Sequence, residues 1–138
     1  MDKALNFLAV ARKAGIAELG EEPVGGAARS GKAYAILVAS DASDHTWRRA
    51  KAYAAGTAQQ CIRIPYTKDE MGFAIGRESL AIAAITDVAM ALALVQSLPS
   101  QEKYAEAVQV LTEKAQKMKQ RKKEAQAHKK NVRVGKKK

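Results

Sequence analysis

A chain of 138 residues, 47% of them hydrophobic, can bury one core and leaves no room for two ordinary domains. Its single cysteine, Cys61, excludes an internal disulfide framework and has no partner at metal-ligand spacing, so a reducing cytoplasm is the expected location. The formal net charge of +10 is unevenly spread: residues 1–98 hold eleven Lys or Arg and ten Asp or Glu, whereas residues 114–138 hold twelve Lys or Arg and one acid. The first part is nearly neutral, and the last 25 residues carry +11.

The first forty residues predict two helices followed by a strand. A stretch rich in Ala and Leu that ends at a glycine predicts a helix over residues 3–14. After Gly20, two acids and an early proline suit the first turn of a second helix, which runs to residue 30. The short apolar run Tyr34–Ala39, bounded by turn residues, predicts a buried strand.

The same alternation continues as far as Leu98. Its predicted elements are a helix over 44–55 capped by Ser43, a strand over 60–64, a helix from Thr67 or Asp69 to Gly76, a strand over 80–85 and a helix from Thr86 or Asp87 to Leu98. Alternating helices and apolar strands predict an α/β fold, a three-layer α/β/α sandwich around a mixed sheet of about four strands. Residues 1–98 would form this domain.

No membrane partner is expected. The start of the chain lacks the uninterrupted apolar region and cleavage site of a secretory signal. Leu80–Leu98 is the most membrane-like stretch, but Asp87 near its middle would cost about 2.5–3.5 kcal/mol inside a bilayer.

After Pro99 the pattern changes to a single long amphipathic helix. Apolar residues recur at alternating spacings of four and three, which is the seam of a coiled coil or of a docked helix. The seam residues are Tyr104, Val108, Leu111, Ala115 and Met118. We predict an amphipathic basic helix over 99–127, followed over 128–138 by a lysine-rich tail with too little apolar surface to order itself without a partner.

One segment resembles a catalytic motif. Gly26–Ala33 matches a phosphate-binding P-loop up to its last position, where Ala33 replaces the hydroxyl residue that would bind magnesium. The segment also closes a helix and opens a strand, the reverse of a P-loop, so we interpret it as a glycine helix stop. His45 and His128 lack a Ser, Cys or carboxylate partner, and we place His45 on the surface of its helix. We therefore expect no enzyme, no metal site and no cofactor.

Basic residues are the more promising candidates. Trp47 with Arg48, Arg49 and Lys51 either joins a stacking aromatic to phosphate contacts, or is a packed tryptophan beside the solvated face of its helix. The net charge of the tail is larger than solubility requires, and we expect it to neutralise RNA phosphates. The alternative is that the tail is a run of solvated charges without a binding role. The tail residues predicted to bind RNA are Lys114, Lys117, Lys119, Arg121, Lys122, Lys123, Lys129, Lys130, Arg133, Lys136, Lys137 and Lys138.

Three stretches on the predicted elements carry a resemblance to a known family. They are Gly20 with Ala27–Ala33, then Ala39–Ser43, then Glu70–Gly76. In order and spacing they are similar to the L-seven-Ae/L-thirty-e superfamily of ribosomal and kink-turn RNA-binding proteins, particularly its small bacterial members, over about residues 2–98. The resemblance implies the α/β/α sandwich already reached from the elements. It also implies RNA binding, which the residues by themselves indicate only in the tail.

In this superfamily the kink-turn contact lies at the turn that opens the second helix. The corresponding positions here are Gly20, Glu22, Pro23 and Gly26, of which the glycine at 20 is kept. Glu22 accepts where a donor is expected, Pro23 replaces a side chain that would hydrogen-bond a base, and Gly26 removes a phosphate-binding charge. These departures argue against standard kink-turn recognition.

Other positions do match the superfamily. They are Lys32 at the turn before the first predicted strand, Asp41 after that strand, and the loop Gly76–Ser79 with Arg77. The resemblance implies that these residues line a surface for folded RNA, which they would contact through phosphates with little reading of sequence.

The leading hypothesis is a non-catalytic cytoplasmic protein that binds ribosomal or other structured RNA, in which the domain supplies shape and the tail supplies affinity. A chain cut after residue 98 should then lose most of its affinity for RNA. The alternative is a protein-interaction adaptor that docks a partner helix on its seam and an acidic partner on its basic run.

Overall fold

The computed structural model describes residues 2–136, with side chains described as far as residue 127. Six α-helices, one 3₁₀ turn and four strands follow one another in this part of the chain. In order they are α1 Lys3–Lys13, β1 Ala17–Leu19, α2 Glu21–Arg29, β2 Ala35–Val38, α3 Asp44–Ala54, β3 Gln60–Arg63, α4 Lys68–Ala74, β4 Ile82–Ile85, α5 Val88–Gln96, the 3₁₀ turn Gln101–Tyr104 and α6 Ala105–Lys136.

The four strands form one mixed sheet in the order β1-β4-β2-β3. β2 pairs parallel with β3 and antiparallel with β4, so that Ala35 lies opposite Ile85 and Val38 lies opposite Ile82. β1 completes the sheet as an antiparallel edge strand on β4. The two central strands are completely buried because helices cover both faces of the sheet.

The helices lie in two layers. α2 and α3 pack together on one face, while α1, α4, α5 and α6 pack on the other, which confirms the predicted three-layer α/β/α sandwich. Side-chain caps begin the helices as the sequence indicated: Ser43 caps α3, Thr67 caps α4 through a capping box with Glu70, and Asp87 caps α5.

One element, β1, was not predicted. It has three residues, all only half-buried, and one of them is Glu18. Such a strand leaves no period-2 signal in the sequence, and it forms because the exposed edge of β4 provides hydrogen-bond partners for it.

The first part of α6 belongs to the same hydrophobic core as the sheet. Tyr104, Ala107 and Leu111 are buried in that core, and α6 packs along α5. The structure thus resolves the two readings of the seam in favour of docking onto the domain. Burial fades along the helix: Ala115 is half-buried and Met118 is 37% exposed.

The helix continues without a break through the predicted boundary at residue 127, and its backbone is helical to Lys136. The prediction of a disordered tail over 128–138 falls on residues whose side chains lie outside the described part of the chain, and residues 137 and 138 lie outside it altogether. It remains a prediction.

Candidate nucleic-acid interface

The register of the sheet divides the domain candidates between its two ends. β2 runs from Ala35 to Val38, and β4 begins opposite Val38, so the segments after β1 and β2 and before β4 share one end. We call this the Asp41 end; it holds Gly20, Asp41 and Arg77. Lys32 precedes β2 and lies at the opposite end, which we call the Tyr34 end. Of the domain residues predicted to line one RNA surface, Asp41 and Arg77 therefore share an end of the sheet, and Lys32 lies at the other end.

At the Asp41 end, the turn that opens α2 has the geometry that a glycine requires. Gly20 adopts φ 96°, a left-handed conformation that favours glycine, and its N–H donates to the Ile82 carbonyl at 3.0 Å. Glu22 and Pro23 are exposed beside it in the first turn of α2, and a side chain at Gly26 would meet open space. The turn at Gly20 is therefore formed, but the side chains beside it include an acid, Glu22, and no cation that could bind phosphate.

Glu21, which the sequence analysis did not single out as a site, organises this end. Its carboxylate accepts a hydrogen bond from the Thr46 hydroxyl at 2.9 Å and pairs with the Arg49 guanidinium at 3.0 Å. This contact joins α2 to α3 and neutralises Arg49. Both side chains of the ion pair remain substantially exposed, at 51% and 37%, so the pair adds little to stability.

The cluster around Trp47 is not an open stacking platform. The ring is half-buried against the core, and two cations already lie over it: Arg63 at 4.7 Å and Lys51 at 5.4 Å from the ring centroid. With Arg49 paired to Glu21, the packed-tryptophan interpretation describes this cluster better than the RNA-stacking one.

Asp41 and Arg77 have different environments. Asp41 accepts the backbone N–H of Lys68 at 2.8 Å and so ties the segment after β2 to the start of α4. Arg77 is exposed in the loop between α4 and β4, and its N–H donates to the Gly72 carbonyl at 2.8 Å. Only glycine fits at position 72 without a backbone shift, because a Cβ there would lie 2.6 Å from the Ser79 nitrogen. The loop carrying Arg77 is thereby held against α4.

An exposed aromatic at this end was also missed by the sequence analysis. Phe73 on α4 is 78% exposed and borders a groove of about 470 Å³ whose other walls include Asp2, Asp69 and Glu70. Three carboxylates around the ring would repel phosphate, so we do not count Phe73 as an RNA contact.

The basic residues of α6 are concentrated on its exposed part. Among the side chains that the structure describes, Lys114 is half-buried and Lys117, Lys119, Arg121, Lys122 and Lys123 are exposed. Within those described side chains, none of these six cations forms an ion pair, and the one acid of the tail, Glu124, accepts from Gln120 at 3.3 Å. The side chains of Lys129, Lys130, Arg133 and Lys136 are not described, and Lys137 and Lys138 lie outside the described residues.

α6 crosses the length of the sheet from the Asp41 end to the Tyr34 end. Near its start the Tyr104 hydroxyl donates to the carbonyl of Arg63, the last residue of β3. One residue before β2, the Tyr34 ring lies 5.5 Å from the Lys114 ammonium. The exposed basic part of the helix therefore leaves the domain at the Tyr34 end.

The P-loop-like segment has the predicted context, a helix end leading into β2. The buried side chain of Gln59 hydrogen-bonds the backbone of this segment: it accepts from the Ala33 N–H at 2.9 Å and donates to the Ala28 carbonyl at 3.1 Å.

His45 is exposed in the first turn of α3, as predicted. No group of three potential metal ligands occurs among the described residues, and none of the described helices is long and apolar enough to cross a membrane.

Comparisons with known proteins agree on the fold. A solved protein of unknown function from Bacillus halodurans superimposes with a TM-score of 0.64 at 25% identity, covering 70% of this chain and 97% of its own. The Giardia lamblia 15.5kD RNA binding protein superimposes with a TM-score of 0.57 at 17% identity, covering 71% of this chain and 83% of its own. No family model and no curated protein matches the sequence. The chain thus shares its fold with a protein that binds RNA.

Proposed function

We propose that this protein binds structured RNA, without catalysing a reaction, and that the basic part of α6 supplies most of the affinity. The observation that carries the proposal is the docking of α6: its start is fixed in the core by Leu111, while the cations from Lys117 to Lys123 are exposed and form no ion pair among the described side chains. The folded helix fixes the backbone that carries these cations before RNA arrives, which lowers the ordering cost of binding.

The length of the exposed part suits a polyanion. Lys114 to Lys123 span about 14 Å at the 1.5 Å rise of an α-helix, so these cations can reach more than one phosphate. Each neutralised phosphate releases counterions and adds roughly 0.7–0.9 to the slope of log affinity against log salt concentration.

The fold supports the same proposal from a second direction. It is shared with an RNA binding protein, and the turn at Gly20, where the resemblance to the L-seven-Ae/L-thirty-e superfamily places the kink-turn contact, is formed with φ 96°. Membership of that superfamily, association with the ribosome and a cytoplasmic location are parts of the proposal. Because Glu22 and Pro23 replace the groups that would read a base at the turn, we place phosphate contact by the cations of α6 ahead of base reading by the domain.

The test uses the full-length chain, because a cut after residue 98 would remove Leu111 from the core and destabilise the domain. One variant replaces five exposed cations of α6 by Gln: Lys117, Lys119, Arg121, Lys122 and Lys123. A matched variant replaces five exposed cations elsewhere by Gln: Lys3, Arg12, Lys13, Arg48 and Lys103. Gel-shift titrations with ribosomal RNA at several salt concentrations should show a large loss of affinity and of salt slope for the first variant alone. Equal losses for both, or no salt-dependent binding of the unaltered protein, would contradict the proposal.

The adaptor alternative has lost the feature that favoured it. That alternative required the apolar seam of α6 to be available to a partner helix. Instead, Tyr104, Ala107 and Leu111 are buried against the protein's own domain. An acidic protein partner for the basic part of α6 is still distinguishable by experiment. Partners recovered with the full-length protein should disappear after nuclease treatment if RNA is the ligand.

A further inference from the structure

At the Tyr34 end, α6 and the segments before β2 and β3 form an open pocket with an aromatic wall and a basic rim. Its volume is about 340 Å³, within the range of roughly 300–1,000 Å³ typical of small-molecule sites. Its lining residues are Tyr34, Ala58, Lys114, Lys117, Met118 and Arg121. The aromatic ring comes from Tyr34, the residue before β2, and the positive charge comes from α6. Neither segment would form this pocket alone.

The lining residues combine an aromatic ring with cations, the two kinds of group that bind a nucleotide. The ring of Tyr34 is half-buried and therefore fixed, and Met118 adds an apolar side chain that the seam leaves 37% exposed. The ammonium of Lys114 lies 5.5 Å from the ring centroid, a loose cation–π contact on a flexible side chain. Trp47 carries two cations, the nearer at 4.7 Å, whereas among the described residues Lys114 is the one cation over Tyr34. An entering phosphate would attract this ammonium away from the ring, and the ring face would then be open to a base.

The geometry points to a binding subsite for one unpaired nucleotide of RNA, its base stacked on Tyr34 and its phosphate held by Lys114, Lys117 and Arg121. This inference rests on the proposed function and names a site for it that lies at the opposite end of the sheet from the turn at Gly20. An acidic peptide would satisfy the three cations but has no flat ring for Tyr34, and for this reason we favour RNA. Double-stranded RNA would leave the pocket empty because its bases are paired and stacked.

The experiment compares a single-stranded oligonucleotide, carrying 2-aminopurine as a fluorescent base, with a duplex of the same length. Tyr34→Leu removes the ring and should weaken single-strand binding by about 5- to 150-fold, the effect of losing one base–aromatic stack, and abolish the quenching of 2-aminopurine on binding. Duplex binding and the salt slope should be unchanged. Tyr34→Phe keeps the ring and should behave like the unaltered protein.

A second variant guards against misfolding of Tyr34→Leu. Ala58 is exposed in the turn before β3, so Ala58→Glu alters the pocket without disturbing the core and should also lower single-strand affinity more than tenfold. Lys103→Gln, an exposed cation at the far end of the extension, should change little.

The inference is overturned if Tyr34→Leu and Ala58→Glu reduce binding of single strand and duplex equally, or if Tyr34→Leu weakens a polyglutamate peptide as much as RNA. It is also overturned if the two variants bind single strands like the unaltered protein. In each of those outcomes the protein still binds RNA or a polyanion in a salt-dependent way. A failure of the proposed function is different: no such binding would be seen with the unaltered chain.

Discussion

The Tyr104 hydroxyl donates to the Arg63 carbonyl at 3.2 Å, linking the turn before α6 to the end of the edge strand β3. A tyrosine hydroxyl is protonated across the physiological range, and burial raises the pKa of Tyr104 further, so it remains a donor. Together with the burial of Leu111, this bond fixes where α6 begins and the direction in which it carries its charge.

Leu111→Ala should destabilise the protein by about 2–5 kcal/mol, because Leu111 is completely buried between α6 and the domain and its truncation leaves a cavity. Urea denaturation measures the change in the free energy of unfolding. Met118→Ala, in the same seam but 37% exposed, is the control and should cost less than about 1 kcal/mol. Similar small losses for both variants would show that the seam is not docked.

Glu21→Gln should raise RNA affinity roughly 2- to 5-fold at low salt, because it removes a negative charge from the Asp41 end and releases Arg49 to bind phosphate. Stability should fall by less than about 1 kcal/mol, as expected for an exposed ion pair. The measurement is a gel-shift titration, with Glu106→Gln on α6 as the matched neutralisation that leaves Arg49 paired. A loss of affinity for Glu21→Gln would mean that Glu21 itself contacts RNA.

Gly72→Ala and Gly26→Ala should change stability in opposite directions. A Cβ at Gly72 would lie 2.6 Å from the Ser79 backbone, and relief of that overlap should cost about 1–3 kcal/mol. A Cβ at Gly26 meets nothing within 4 Å, and alanine in this helical position should stabilise α2 by roughly 0.5–1 kcal/mol. Thermal unfolding of the two variants gives the signs directly, and a stable Gly72→Ala would show that the loop with Arg77 moves freely from α4.

Cys61 should react slowly with thiol reagents. Burial raises its pKa from 9.0 to about 11, with Lys51 opposing the shift, so at pH 8 the reactive thiolate is about 100-fold scarcer than in an unfolded chain. The rate of reaction with Ellman's reagent should rise about tenfold per pH unit up to about pH 11. Because folding favours the protonated thiol, the stabilisation is present below pH 9 and is lost as the pH rises towards 11. A native rate at pH 8 equal to that in guanidinium would refute the shift.

The sequence by itself determined the elements with strong local signals. The capping residues Ser43 and Asp87, the glycine at position 20 and the apolar runs of β2 and β4 specify helices and strands through interactions among near neighbours, and their alternation was enough to predict a three-layer sandwich. The charge of the tail is likewise a property of composition, readable without a structure.

Only the tertiary structure decided which of these residues meet. Lys32 and Asp41 are nine positions apart in the sequence, yet β2 places them at opposite ends of the sheet. Glu21 on α2 forms an ion pair with Arg49 on α3, which is 28 positions further along the chain. The strand β1 exists because β4 offers it an edge. The seam of α6 was equally suited to a second helix or to its own domain, since periodicity records which side chains are apolar and not what covers them. The burial of Leu111 shows that the seam packs on the protein's own domain. This packing also fixes the Tyr34 end as the end of the domain from which the basic helix extends.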